Sequence, residues 1–298
     1  MSSAAGRLAV CATPIGHLED ITLRVLGELR SADLVLAEDT RRTGLLLRHF
    51  EIVVPVWSFH EHNEHRRLPD VLARLRAGSR IALVSDAGTP GVADPGFRLV
   101  RAAVDAGVAV TALPGASALL PALILSALPL HAFAFYGFPP RTAGALSAAL
   151  RRALDAPHTS VWYEAPQRLP TTLATIARLG FGDRRAAVAR ELTKVHEDVV
   201  RGTVVELARH FAQPPRGEIV LCVAARAAVR GEPPSGDDPA AVGSDGLDEA
   251  VEAVRTRQAG GIRLSAAVAA TAAERGLSRR HLYRACVAEV RGVDEAGP

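Results

Sequence analysis

The chain has 298 residues, of which 48% are apolar, 22% charged and 4% aromatic, and its net charge is +3. This length allows two or three domains with buried cores, and the composition excludes disorder, collagen and coiled coil for the chain as a whole. The three cysteines stand far apart and form no CxxC pair. This spacing argues against a disulfide scaffold or a zinc cluster and favours a reducing cytoplasmic location.

A stretch without charged side chains, residues 106–140, is long enough to span a bilayer. Five prolines interrupt it, which is more than a spanning helix tolerates. We therefore expect a buried strand, a buried helix and a second buried strand here. The first ten residues lack the apolar core of a signal peptide, so the sequence predicts a cytoplasmic protein with no membrane partner.

Short apolar runs alternate with helical segments through the first part of the chain. We predict strands at 8–13, 33–39, 80–88 and 108–115, with helices at 22–32 and 97–107. Each strand is a nearly continuous apolar run, which is typical of parallel strands covered on both faces. The alternation predicts an N-terminal α/β domain over residues 1–118.

A second pattern follows the apolar helix predicted at 118–128. We predict strands at 132–138, 159–165, 184–192, 197–203 and 217–224, with helices at 142–154, 168–179 and 203–212. Only a few residues separate strands 184–192 and 197–203, so these two are expected to pair antiparallel. The sequence therefore predicts a second α/β domain with a mixed sheet over residues 119–228.

The last part of the chain changes in composition and charge. Residues 229–246 are rich in Pro, Gly, Ser and Asp, which predicts a flexible acidic linker. Residues 247–298 carry helical patterns, and residues 255–291 within them hold eight arginines against two glutamates. We therefore expect a small, basic helical appendage at the C-terminus.

Several polar, glycine-rich loops fall at the carboxyl ends of predicted strands, where open α/β sheets bind ligands. The most elaborate of them is SDAGTPGVADPG, residues 85–96. Asp86 would project from the strand tip, and Thr89 with the loop amides could hold a ligand carboxylate or ribose. The loop LPGASAL, residues 113–119, is expected to lie beside it.

Two further motifs leave alternatives open. In EDTRRT, Arg41 and Arg42 would begin a helix, a position that favours either a bound polyanion or local pairs with Glu38 and Asp39. In SFHEHNEHRR, His60, His62 and His65 fall within six residues. A metal site there is conceivable. A polar loop that enters a helix is the favoured reading, so no metal ligands are assigned.

The second domain contributes a mixed-charge cluster at strand ends. It comprises YEAPQR, RELTK and RGE, residues 163–168, 190–194 and 216–218. A structural network of ion pairs is one reading of this cluster, and a catalytic site is the other. Lys194 is the only lysine among 35 basic side chains, which suggests a position where arginine would not serve.

Taken in chain order, these motifs resemble one family closely. TPIG-LEDIT, AEDTRRT, HEHNE, SDAGTPGVADPG, LPGASAL, YEAP-R, RELTK-HE-V-RG and GE-V are similar to the ribosomal RNA small-subunit methyltransferase I family, among the tetrapyrrole-methylase-like enzymes. The resemblance covers about residues 8–224 and resumes at GLSRRHLY in the tail. Three positions depart from the family pattern: His17 stands for Asn, Gln167 for His, and Thr142 for a basic residue.

The resemblance implies two α/β domains with an S-adenosylmethionine cleft between them, commonly in a homodimer. It implies 2′-O-methylation of a cytidine ribose in the decoding region of small-subunit (16S) ribosomal RNA, within the assembled subunit. The implied cofactor-binding residues are Thr13, Pro14, Asp86, Gly88, Thr89, Ser117, Ala118, Tyr163, Glu164 and Ala165.

Transfer of a methyl group to a ribose hydroxyl needs in-line positioning and a means to handle the hydroxyl proton or its developing charge. The candidates are Lys194 and Glu191, with Asp39 as a further carboxylate. RNA must be held through its phosphates with the target base splayed out of its stack. The expected RNA-facing residues are Arg41, Arg42, His60, His62, Arg141, Arg279, Arg280 and Arg284.

Two rival hypotheses remain at this point. A C-methyltransferase acting on a tetrapyrrole would share the fold, although its pocket should carry more aromatic and apolar loop residues. A non-catalytic ribosome-assembly factor would keep RNA-binding surfaces without binding the cofactor. The EDTRRT and HEHNE loops favour RNA over a macrocycle, and the intact SDAGTP loop favours an enzyme over a binding factor.

Overall fold

A computed structural model describes residues 6–225, 244–275, 282–283 and 285–287. The chain divides into two compact units, Met1–Glu232 and Pro233–Pro298. The first unit holds two five-stranded sheets. The second is helical in its described residues.

The first sheet is entirely parallel, as its continuous apolar strands predict. Its strands are β1 (Arg7–Cys11), β2 (Leu34–Ala37), β3 (Val56–Ser58), β4 (Arg80–Val84) and β5 (Ala109–Leu113), in the order β3-β2-β4-β1-β5. All four residues of β2 are buried, which is what a strand covered on both faces requires. The carboxyl ends of all five strands therefore meet at one edge of this sheet.

Helices cover both faces of the first sheet. They are α1 (Leu23–Ser31), α2 (Thr40–His49), α3 (Glu64–Arg76) and α4 (Phe97–Asp105), with a 3₁₀ turn at Leu18–Asp20 before α1. Because side chains alternate along a strand, Ala9 and Cys11 pack in one core with α1 and α2. Leu8 and Val10 pack in the opposite core with α3 and α4.

The second sheet is mixed, as expected. Its strands are β6 (Phe133–Phe135), β7 (Thr159–Glu164), β8 (Arg185–Arg190), β9 (Asp198–Thr203) and β10 (Ile219–Val223), in the order β6-β7-β10-β8-β9. Strands β6 and β7 run parallel, and the remaining pairs are antiparallel. The predicted antiparallel pairing of 184–192 with 197–203 is confirmed as β8 with β9.

The second sheet is also covered on both faces. Three helices, α6 (Ala143–Leu154), α7 (Leu169–Ile176) and α8 (Val204–His210), pack on one face around the buried Trp162. The apolar helix α5 (Leu119–Ser126) packs on the other face. The uncharged stretch is thus strand, helix and strand, and no described helix is both long and apolar enough to cross a membrane.

The C-terminal unit contains α9 (Ser244–Ala259) and α10 (Leu264–Arg275), which pack through Val251, Val254 and Val268. Arg275 pairs with Glu249 across the two helices at 3.1 Å. The expected helical appendage is confirmed. Helix α9 begins at Ser244, within the predicted linker 229–246, and residues 226–243 lie outside the described residues.

Candidate functional site

The loops that follow β1 and β4 are joined at the carboxyl edge of the first sheet. Thr13 and Gly88 exchange two backbone hydrogen bonds of 2.9 Å, and the Thr13 hydroxyl donates to the Ser85 carbonyl at 3.0 Å. The Thr89 hydroxyl donates to the Ala116 carbonyl at 3.3 Å. This bond confirms that loops 85–96 and 113–119 are neighbours, as their positions in the sequence predict.

Asp86 ties this edge to the loop that follows β2. Its Oδ1 accepts the backbone N–H of Asp39 at 2.9 Å, and its Oδ2 lies 3.2 Å from Arg42. The EDTRRT ion-pair alternative therefore holds for Arg41, which pairs with Asp39 at 2.9 Å. Arg42 instead pairs with Asp86, because α2 points it across the edge of the sheet rather than back along its own strand.

The RELTK loop after β8 places Lys194 between two carboxylates. Its Nζ lies 3.0 Å from Glu191 Oε1 and 3.1 Å from Glu218 Oε2. Partial burial acts to lower the pKa of Lys194, but the hydrogen bonds to Glu191 and Glu218 outweigh it and raise the pKa above its ordinary value of 10.5. Lys194 is therefore an ammonium cation at neutral pH, which suits charge stabilisation better than proton abstraction.

Glu191 is held by its surroundings as an anion. It accepts the Glu218 backbone N–H at 2.9 Å and the Lys194 ammonium, and these two bonds lower the pKa of its carboxyl. Hydrogen bonds to the side chain and backbone of Arg41 lower the pKa of Asp39 to about 2. Both carboxylates are thus weak bases that orient a neighbouring cation.

The loops of the two sheets meet at Gly16. The backbone N–H of His17 donates to the Thr193 hydroxyl at 3.1 Å. A Cβ added at Gly16 would lie 2.5 Å from Lys194 Cγ and 2.7 Å from Thr193 Oγ1. Glycine at this position therefore allows the TPIG loop to pack directly against the loop that carries Lys194.

The end of β7 supplies a buried carboxylate and an aromatic wall. Glu164 is buried and accepts hydrogen bonds from the Thr172 hydroxyl at 2.5 Å and the Ala165 N–H at 2.9 Å. Tyr163 makes edge contacts with Phe135 and Phe138. Glu164 thus holds the strand end in place, and Tyr163 presents its ring towards the loop edge.

A cavity of about 370 Å³ lies where the loops of the two sheets meet. Eight of the ten residues predicted to bind the cofactor line it. The other two, Thr13 and Pro14, line an adjoining cavity of about 360 Å³. Ile15, Arg42, Asp86, Ala87 and Glu218 belong to both walls, so the cavities are adjacent. Both volumes are in the range of small-molecule sites.

Five carboxylates line the first cavity: Glu38, Asp86, Asp94, Glu164 and Glu218. Burial, together with the charges of Glu38 and Asp86 and against a hydrogen bond from Ser85, raises the pKa of Asp94 to about 6. Burial and the Asp86 charge also raise the pKa of Glu38. A cavity in which carboxylates raise each other's pKa favours a cationic ligand.

Asp94 also makes stability depend on pH. Its pKa in the folded chain is about 6, against an ordinary value of 3.8, so the folded state binds the proton more tightly between these two values. Stability therefore falls as pH rises from about 4 to about 6. We expect Asp94→Asn to remove this loss, with a Tm relative to wild type that increases from pH 4 to pH 7. Thermal denaturation across this range measures it, and parallel profiles would contradict it.

Gly217 shapes the wall beside Glu191. Its φ is +95°, and an added Cβ would lie 2.5 Å from Glu191 Cδ and Oε1. Gly217→Ala is expected to lower the free energy of unfolding by about 1–2 kcal/mol or more, since it adds a clash to the left-handed strain. Gly27→Ala, in the open middle of α1, should instead raise it by about 0.5–1 kcal/mol. Chemical denaturation of both variants tests the contrast.

Comparison with known proteins identifies the family. Residues 7–208 match the family described as tetrapyrrole (corrin/porphyrin) methylases. The protein named ribosomal RNA small subunit methyltransferase I of Streptococcus pyogenes serotype M1 is 45% identical over 220 residues, covering 74% of this chain and 76% of that protein. The protein of the same name from Synechocystis is 42% identical over 280 residues, covering 94% and 96%.

The chain belongs to the ribosomal RNA small subunit methyltransferase I family, within the tetrapyrrole methylases. The resemblance stated from its motifs is thereby confirmed.

Solved structures agree on the fold. Uroporphyrin-III-C-methyltransferase from Thermus thermophilus is 20% identical with a TM-score of 0.53, covering 73% of this chain and 94% of that one. The methyltransferase CobJ is 20% identical with a TM-score of 0.58, covering 74% and 95%.

The arginines and histidines predicted to face RNA differ in their surroundings. Arg41, Arg42, His62 and Arg141 are exposed. His60 is half-buried and donates its backbone N–H to Asn63 Oδ1 at 2.9 Å, which closes the polar loop before α3. Among the described residues, no group of three His, Cys, Asp or Glu side chains could hold a metal ion. Arg279, Arg280 and Arg284 lie outside the described residues.

Some residues of this family member's site were not singled out by sequence reasoning. Glu38, Asp94 and Phe138 line the first cavity, and Glu218 lines both. Glu38, Asp94 and Glu218 fall inside motifs that the sequence does display, EDTRRT, SDAGTPGVADPG and RGE. Phe138 could have been predicted as a site residue from its position just after strand β6.

Proposed function

We propose that this protein is an S-adenosylmethionine-dependent methyltransferase that modifies the ribose 2′-hydroxyl of a cytidine in the decoding region of small-subunit ribosomal RNA. One observation carries the proposal. Two adjacent cavities, one acidic and one lined by Lys194, share a wall in a chain whose relatives are named ribosomal RNA small subunit methyltransferase I. Two cavities with a common wall suit a cofactor and an acceptor that exchange a group.

The first cavity fits the cofactor chemically. Glu38, Asp86 and Asp94 face a space that favours a cation, and S-adenosylmethionine is positively charged at its sulfonium and amino groups. When bound, the cofactor supplies a methyl group already activated by the sulfonium. The predicted residues Ser117, Ala118 and Tyr163 line the same cavity. Thr89 is fixed by its bond to Ala116 and completes the loop.

The protein's own part in the reaction is positioning and charge stabilisation. Lys194 lines the second cavity and carries a positive charge there. An ammonium beside a ribose hydroxyl stabilises the negative charge that develops on the oxygen as the hydroxyl proton passes to solvent water. Glu191 orients Lys194 through the 3.0 Å bond. Asp39 acts only indirectly, by orienting Arg41. It accepts three hydrogen bonds from Arg41 at the start of α2.

The substrate implies a surface, a location and an assembly. We propose that the exposed Arg41, Arg42 and Arg141, with His60, His62 and the basic tail, bind RNA phosphates in the assembled subunit. A ribosomal substrate would place the enzyme in the cytoplasm.

The exposed leucine and isoleucine on the outer side of α5, Leu120 and Ile124, support a homodimer. Equilibrium sedimentation would measure the oligomeric state.

The decisive experiment incubates the purified protein with methyl-labelled S-adenosylmethionine and undermethylated small ribosomal subunits. Nucleoside mass spectrometry then identifies the labelled nucleoside and its position. The expected result is 2′-O-methylcytidine at one site. Label on the base or on another nucleoside would contradict the proposed chemistry. Cofactor binding without label on subunits or free RNA would contradict the substrate and favour a small-molecule acceptor, and no cofactor binding would favour an assembly factor.

A further inference from the structure

The second cavity has a lining that the methyl-transfer chemistry alone does not require. Besides Lys194 and Arg42, its wall contains two leucines that no core covers, Leu18 on the 3₁₀ turn and Leu45 on α2. Leu45 is 62% exposed and Leu18 is 39% exposed. Isolated exposed leucines are common on protein surfaces, but two on the wall of one cavity form an apolar contact surface.

We propose that this cavity is the pocket for the acceptor nucleotide, in which Leu18 and Leu45 hold the flipped base and Arg42 contacts the adjoining phosphate. The inference rests on the proposed function and adds to it the residues that hold the base. The occupant is a pyrimidine nucleotide of a single-stranded RNA segment. Such a group needs an apolar surface for its ring and a cation for its phosphate.

The arrangement of α2 supports this assignment. Arg42, Leu45 and Leu46 are spaced three and four residues apart, so they lie on one face of the helix, and all three line the cavity. Arg41 and Arg48 are exposed on the same helix. An apolar strip flanked by arginines matches a nucleotide, which is apolar on its ring faces and anionic along its backbone.

The common wall of the two cavities supports it further. Ile15, Ala87, Asp86 and Glu218 separate the acidic first cavity from the second. A nucleotide in the second cavity would therefore lie beside the proposed cofactor site. Lys194 lines the same cavity as the nucleotide. The first cavity suits the nucleotide less well, because five carboxylates line it and repel a phosphodiester, whereas only Asp86 and Glu218 line the second cavity, beside Lys194 and Arg42.

The test compares Leu45→Ser with Leu23→Ser. Leu23 is also an exposed helix leucine, at 85%, but it lines neither cavity and serves as the matched control. We expect Leu45→Ser to raise KM for small subunits about fivefold to tenfold, at the lower end of the effect of losing a base-contacting side chain. The affinity for S-adenosylmethionine, measured by calorimetry, and kcat at saturating subunits should stay within twofold of wild type. Leu45→Met should restore KM.

Binding of a fluorescent single-stranded RNA, followed by anisotropy, separates this inference from the proposed function. If wild type binds the RNA but transfers no methyl group, the proposed function is wrong, and weaker RNA binding by Leu45→Ser still supports the pocket. An unchanged KM and unchanged RNA affinity in Leu45→Ser would overturn the inference. A loss of cofactor affinity in Leu45→Ser, with Leu23→Ser unaffected, would overturn it as well, since the cavity would then serve the cofactor.

Discussion

Lys194→Ala is expected to lower kcat for methylation of small ribosomal subunits by about 10²–10³-fold. Lys194 lines the second cavity, 3.0 Å from Glu191 and 3.1 Å from Glu218, and under the proposed function its positive charge stabilises the developing negative charge on the hydroxyl oxygen. Because it does not line the first cavity, the affinity for S-adenosylmethionine should be unchanged. Single-turnover kinetics and calorimetry measure the two quantities separately.

Two further variants sharpen this test. Lys194→Arg should recover only part of the rate, because a planar guanidinium cannot take the place of a compact ammonium between Glu191 and Glu218. Arg101→Ala is the matched control, since it removes an exposed cation on α4 whose partner is Asp105. An unchanged kcat in Lys194→Ala would remove Lys194 from the mechanism, and a parallel loss of cofactor affinity would make it a cofactor-binding residue.

Asp86→Ala is expected to weaken binding of S-adenosylmethionine by about 10–100-fold, the effect of losing one or two hydrogen bonds to a charged group. Asp86 lines both cavities, and its removal leaves the Asp39 amide and the Arg42 guanidinium without the partner that positions them. It also removes one of the five carboxylates that line the first cavity. Calorimetry gives the Kd, and thermal denaturation shows whether the fold is retained.

Asp86→Asn separates the two effects of this substitution. Its amide oxygen can still accept the Asp39 N–H at the position of Oδ1, while the charge is lost. A Kd between those of wild type and Asp86→Ala would show that both position and charge contribute. Asp105→Ala, which removes an exposed carboxylate on α4, should leave the Kd unchanged. Wild-type affinity in Asp86→Ala would contradict a role for this residue at the cofactor site.

Most strands could be predicted because buried parallel strands are apolar without interruption, as Leu34–Ala37 illustrates. Strand β3, Val56–Ser58, was not predicted, because three residues after Pro55 form too short a run at the edge of the sheet. The strand predicted at 80–88 ends at Val84. The apolar run stops at Val84, and beyond it Thr13 forms hydrogen bonds with the Ser85 carbonyl and with Gly88.

The loops of the site could be located from the sequence, because their motifs stand at the ends of predicted strands. The direction of the Lys194 pKa could not be predicted from sequence. It depends on Glu191 and also on Glu218, which lies 24 positions further along the chain and is brought to Lys194 by the pairing of β8 with β10. The partner of Arg42 was likewise decided by tertiary structure, since Asp86 comes from a different strand end. Spacing along a chain cannot supply such contacts.

The acidic wall of the first cavity also bears on turnover. Under the proposed function, Glu38, Asp86 and Asp94 would attract the sulfonium cation of S-adenosylmethionine, which methyl transfer turns into an uncharged thioether. The same carboxylates would therefore bind the thioether product less strongly than the sulfonium cofactor. Under the proposed function, product inhibition should accordingly be weakest above about pH 6, where Asp94 is ionised.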